Sequence, residues 1–170
     1  MTKRIVIFAL MLMAAVGMQA QSLMGTWKTV IDEDGEKMDM YFIINQSTLT
    51  MKGVVTQTDP GVGTIGVSVT VPCTYTRSGN TLNIEAKSEQ AEIKIDKMDL
   101  NDEMTQALKE MPELKKTLDE MLEKGLSESK DDLAKELSSV AGEVVIESLT
   151  ATKLILSDES NEKMTFTRVR

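Results

Sequence analysis

The chain has 170 residues, of which 41% are hydrophobic and 27% charged, and it contains no histidine. Those totals suit one globular domain and exclude every mechanism that needs an imidazole, from the Ser-His-Asp and Cys-His hydrolases to His-ligated metal sites. The formal charge of −8 leaves no electrostatic footprint for nucleic acid, and it opposes strong binding to anionic membranes.

Residues 1–20 read as a secretory signal peptide. Lys3 and Arg4 give a basic start, and Ile5 to Val16 form an apolar run, too short to cross a bilayer comfortably at ~20 residues. Cleavage is expected near Ala20, which places the mature chain from Gln21 in the periplasm or outside the cell. No cysteine stands near that point, so a lipid-anchored product is not expected. Loss of Lys3 and Arg4 leaves the mature chain more acidic still. The sole cysteine, Cys73, rules out an internal disulfide. It lies in an apolar alternation and reads as a small buried hydrophobe.

From Gln21 onward a single domain is expected. Met24 to Ile31 patterns as a strand. Asp34-Gly35 is a hairpin turn signal, and the surrounding acidic run Asp32 to Glu36 lacks the ligand spacing of a calcium loop. Met38, Met40, Phe42 and Ile44 form one apolar face at period two. Leu49, Met51, Gly53 and Val55 form the next, after a polar turn at Asn45-Gln46-Ser47 that also fits a glycosylation sequon. Gly53 suggests a bend or bulge. After the Thr58-Asp59-Pro60-Gly61 loop, the alternation of Ile65, Val67, Val69, Val71, Cys73 and Tyr75 is the clearest β signal in the chain. Pro72 cannot donate to a ladder and marks an edge, a bulge or a break. Leu82, Ile84 and Ala86 follow a turn at Ser78-Gly79-Asn80, and Ala91, Ile93 and Ile95 continue the period.

Between Leu100 and Val140 the period changes. Met104, Leu108, Met111, Leu114, Leu118, Met121 and Leu122 recur every three or four residues, which predicts helix. Asn101 or Asp102 can cap its start. Pro112 breaks the run, Gly125 is read as a stop, and Ser129 to Asp132 as a fresh N-terminus, giving two or three short helices. Glu143 to Leu149, Thr152 to Ser157 and Met164 to Arg168 resume strand. About eight to ten short strands at regular spacing predict a sandwich or barrel.

Three places carry a resemblance: Gly25-Thr26-Trp27 at the start of the first strand, the Tyr75 to Ile84 hairpin, and Leu149 to Leu156 continuing to Phe166-Thr167-Arg168. Together they resemble the lipocalin-like (calycin) exported β-barrel proteins of Bacteroidota. The resemblance spans the mature chain except the helical insertion at about 100–140, which departs from the family. It implies a mainly β fold: an antiparallel up-and-down barrel of about eight strands. It also implies that Trp27 plugs one end while Arg168 packs across it.

Catalytic residues, cofactors and metal ligands are not expected, because the carboxylates fall in turns and on helix faces. The expected function is non-enzymatic binding of a small hydrophobic, lipid-like ligand. Met38, Met40, Phe42, Met51, Val69 and Val71 are the candidate ligand-contacting residues, with Leu49, Val67 and Ile84 beside them, and the Met-rich helices are a candidate lid. The competing expectation is a barrel filled by those same side chains, in which the helices dock an envelope protein partner. The thirteen methionines suit either an adaptable core or an adaptable binding surface.

Overall fold

A computed structural model describes residues 22–33 and 36–169. The expected leader, its cleavage point and the Asp34-Gly35 turn lie outside the described residues. The strands are β1 (Gly25–Glu33), β2 (Glu36–Ile44), β3 (Thr48–Asp59), β4 (Gly63–Ser78), β5 (Thr81–Ala86), β6 (Glu92–Leu100), β7 (Gly142–Leu149), β8 (Lys153–Ser157) and β9 (Lys163–Val169). Two helices, α1 (Asp102–Glu110) and α2 (Pro112–Ser138), come between β6 and β7. Every pairing is antiparallel. The order β3-β2-β1-β9-β8-β7-β5-β4 closes on itself through β3–β4, making an eight-stranded up-and-down barrel with β6 as a branch on β4.

The alternation in the sequence becomes the inside and outside of this barrel. Met40, Phe42, Met51, Val71, Leu82, Leu154, Leu156 and Phe166 are fully buried in one continuous core. The Phe42 and Phe166 rings meet there with centroids 4.7 Å apart, within the range of favourable aromatic pairs.

The seam between β1 and β9 holds one end. Trp27 pairs in register with Arg168, and the guanidinium carbon lies 4.3 Å from the indole centroid. The buried indole N–H donates to the Leu23 carbonyl at 2.8 Å. Arg168 donates through Nη2 to the Ser22 carbonyl at 2.6 Å and through Nη1 to the Met24 carbonyl at 3.1 Å. Gly25 is needed between them. Its φ of +136° is strained for other residues, and a Cβ there would lie 3.1 Å from Arg168 Nη1.

The sixteen-residue β4 changes partners along its length. One side pairs with β3 over Gly63 to Thr74, while the other pairs with β6 over Gly63 to Thr70 and with β5 over Cys73 to Ser78. Pro72 sits at the changeover. Its carbonyl accepts from Lys87 N–H at 2.9 Å, so its missing donor faces the gap between β5 and β6, where no ladder bond is lost. The outer halves of β3 and β4, with β6, therefore project beyond the barrel as a three-stranded tongue, at the end opposite Trp27.

The structure corrects three local expectations. Gly53 is not at a bulge; it pairs in unbroken register with Met40 and Val69. It is needed for space instead, since a Cβ would lie 2.8 Å from Met38 Sδ. The bulges fall at Asp96 in β6 and Glu147 in β7, where the registers shift. Gly125 does not stop a helix, and Ser129 to Asp132 do not start one. The 27-residue α2 runs through both, because burial of Ala134 and Leu137 in the barrel core outweighs a propensity cost of about 1 kcal/mol. Asn101 and Pro112 act as expected. The Asn101 side chain accepts from Met104 N–H at 2.8 Å at the start of α1, and Pro112 opens α2 at its first position.

Trp27→Ala is expected to destabilise the protein by about 3–5 kcal/mol in denaturant unfolding. A double-mutant cycle with Arg168→Ala should return a coupling of about 1 kcal/mol; additive effects would show that the stacking contributes nothing. Nothing stands within 4 Å of a Cβ built on Gly125, so Gly125→Ala should raise stability by roughly 0.5–1 kcal/mol in the same assay.

Candidate functional site

Along β3 the inward positions are Leu49, Met51 and Gly53, then Val55, Gln57 and Asp59. Along β4, read backwards, they are Cys73, Val71 and Val69, then Val67, Ile65 and Gly63. In each row the first three residues are buried and the last three are not. The rows keep their parity, but they leave the barrel and run onto the tongue. There they become the floor of an open groove of about 840 Å³, together with Ile93 of β6. Its wall is one face of α2: Met121, Leu122, Gly125, Leu126, Ser129, Asp132 and Leu133, with Glu128 beside them. The volume falls within the range of small-molecule sites, and the lining has the usual character of apolar residues with a few polar groups.

The groove exists because α2 diverges from the sheet. Its C-terminal Ala134 and Leu137 enter the barrel core, with Leu133 and Val140 packed against it. Towards its N-terminus Leu126, Leu122, Leu118 and Leu114 are only half-buried, and Met121 is 68% exposed. The far end of the tongue is held by Asn101. Its backbone N–H donates to the Val62 carbonyl at 3.0 Å and its side-chain amide to the Pro60 carbonyl at 2.9 Å. Asp59 closes the β3–β4 turn by accepting from the N–H groups of Gly61 and Val62 at 2.7 and 3.1 Å. Gly63, at φ +124°, passes so close to Asp99, Leu100 and Asn101 that a Cβ would collide with their backbone.

The six candidate ligand residues lie elsewhere. Met38, Met40, Phe42, Met51, Val69 and Val71 are all buried at 6% exposure or less in the continuous core, and none lines the groove. Leu49 and Ile84 are buried with them, and Val67 alone of the wider set reaches the groove. Missed by sequence reasoning were Val55, Ile65, Ile93, Leu126 and Leu133. Their periodicities were visible, but period alone does not show where a strand leaves its barrel. A second, smaller hollow of about 390 Å³ lies between the start of β7 and the Asp158 to Ser160 turn.

The titratable groups around the tongue serve the sheet. The Asp96 carboxyl, set out by its bulge, is held below the usual carboxylate range by the Lys52 ammonium and the buried Ser68 hydroxyl, with Lys52 Nζ at 2.7 Å. Lys94 lowers Glu92 in the same way. Burial raises the Cys73 thiol, as expected for an inert core cysteine. Among the described residues no group of three or more acidic or cysteine side chains is placed to hold a metal, and no helix is long and apolar enough to cross a membrane. No protein-family model, curated protein or solved structure matches the chain.

Because its pKa is lowered by folding, Asp96 stabilises the tongue above the ordinary carboxylate range, and that contribution is lost as pH falls through the range towards the lowered value. The pair is about a third exposed, so the effect is under about 1 kcal/mol. Asp96→Asn should lower stability slightly at neutral pH and flatten the acid limb of the stability curve. An unchanged acid limb would show that the pair does not contribute.

Proposed function

We propose that the chain is an exported, non-enzymatic binding protein of the lipocalin-like (calycin) type. It takes one small hydrophobic, lipid-like molecule in the groove between α2 and the β3–β4–β6 tongue. The observation that carries this reading is the course of the inward-facing rows of β3 and β4. Within the barrel they meet one another in a filled core; beyond it they face an open apolar groove under α2. The candidate ligand site is therefore moved from the barrel interior to its mouth, and α2 keeps the role of lid. The helix is fixed at its buried C-terminal end and borders the groove with its half-exposed Leu122 and Leu126, so a ligand gains apolar contact on both sides without opening the core.

Export rests on the pattern of residues 1–20, a basic start at Lys3 and Arg4 followed by the apolar run Ile5 to Val16. The non-enzymatic reading rests on the missing imidazole and on the carboxylates with displaced pKa values. Glu92, Asp96 and Asp158 are each engaged by a neighbouring lysine or serine in the sheet or a turn.

A second reading, a solid scaffold that docks an envelope protein through its helices, is favoured by one observation. α1 buries none of its residues, and Met111 at the helix junction is half exposed. The two readings separate on the same experiment.

Native mass spectrometry of the purified protein, with solvent extraction of its passenger, should find one lipid-like molecule per chain. Leu126→Gln should weaken rebinding of that passenger by about tenfold, the loss of one good apolar anchor. Met40→Leu, a volume-conserving change in the core, should leave rebinding unchanged. A chain that carries nothing and ignores added single-chain amphiphiles would sink the groove reading in favour of the scaffold. Sensitivity to Met40→Leu with indifference to Leu126→Gln would return the ligand to the barrel.

A further inference from the structure

The groove is apolar on its floor and wall, but its polar lining is of one sign. Asp59 stands at the tip of the tongue, and Glu128 and Asp132 stand on α2, with only the neutral Gln57 and Ser129 between them. No lysine or arginine lines the groove.

Neighbouring cations do not neutralise this set. Asp59 gives one oxygen to its own turn. Asp132 has no ion-pair partner among the described residues. Glu128 has Lys124 at 3.7 Å, with both side chains more than two-thirds exposed, and such a pair contributes little. The net charge of −8 adds a field of the same sign, which draws cations in and turns anions away.

We infer that the occupant of this groove is a single-chain amphiphile with a cationic amine or quaternary-ammonium head. Its tail lies between α2 and the tongue, and its head sits at the rim of the groove beside Glu128 and Asp132, one turn apart on α2. The inference rests on the groove being the ligand site. It narrows the ligand class against a fatty acid, whose carboxylate would meet the like charges of Glu128 and Asp132 with no lysine or arginine in the lining. A neutral head would neither gain nor lose by this arrangement, so head charge alone separates the candidates.

The test compares three twelve-carbon probes on the purified protein by titration calorimetry at low salt, each below its micelle threshold: dodecyltrimethylammonium, dodecyl maltoside and dodecanoate. Circular dichroism checks that the fold persists. The expected result is one-to-one binding of the ammonium probe, at least about tenfold tighter than dodecanoate. The gap should narrow at ~0.5 M salt, where charges are screened within a few ångströms. The double variant Glu128→Gln/Asp132→Asn should shrink the gap by weakening the ammonium probe; both positions are exposed, and Asp59 is spared for its turn.

Equal or tighter binding of dodecanoate would overturn the head-group inference. In that case, maltoside binding that Leu126→Gln abolishes would show that the groove reading still stands. Ammonium binding that is multivalent, or indifferent to Leu126→Gln, would mark non-specific charge neutralisation and also overturn the inference. Failure of all three probes would remove the groove reading and the inference together.

Discussion

The pairing of β1 with β9 is the constraint on which the rest of the molecule depends. Eight strands make a barrel without edges only if the first and last meet, and here, among the described residues, they meet over three register pairs centred on Trp27 and Arg168. The side chains reinforce this short ladder. A buried indole provides the area, a guanidinium stacks upon it, and the guanidinium's outer nitrogens hold the carbonyls of Ser22 and Met24. Arg168 therefore fixes the approach to β1 as well as the end of β9. Lysine could not do the same work, because it lacks both the planar face and the fork of donors.

At the other end the barrel is not closed by strands at all. β4 outruns its barrel partner β5, and β7 begins at the level of Ile84, so β6 has no strand on its outer side. Charge protects this free edge. Lys94, Asp96, Lys97 and Asp99 crowd β6, and the bulge at Asp96 interrupts its ladder, both common defences of an unpaired strand. The bulge at Glu147 has a parallel construction, its carboxylate accepting from the Ser157 hydroxyl at 2.8 Å. α2 then covers by side-chain packing what the missing strand pairing leaves open. It covers only part, since the helix enters the core at Leu137 and stands clear of the sheet at Met121.

Much of this was legible in the sequence because the strands alternate cleanly and the first and last strands carry distinctive residues, Trp27 and Arg168. Period two separated Met40, Phe42 and Met51 from their outward neighbours, and Pro112 marked the helix break. The site was less legible for a physical reason: Val55 has the same parity and the same apolar character as Met51. Only the lengths of neighbouring strands decide that one faces a core and the other a groove. Gly125 misled because helix propensity is a local quantity, whereas the continuity of α2 is set by Leu137 several turns away. Gly53 misled because a glycine reads alike whether the backbone bends or a neighbouring methionine needs room.

The seam also sets an order of events. β1–β2 and β3–β4 join residues close together in the chain and can form early. The Trp27–Arg168 contact joins segments separated by nearly all the described sequence, and closing so long a loop costs entropy that local pairings do not face. Until β9 arrives, β1 has an unpaired side and the barrel is an open sheet. The chain has one tryptophan, and it stands at this seam, fully buried in the core with the guanidinium stacked on it. Its emission is thus a built-in optical clock for the last step of barrel closure, with no label required.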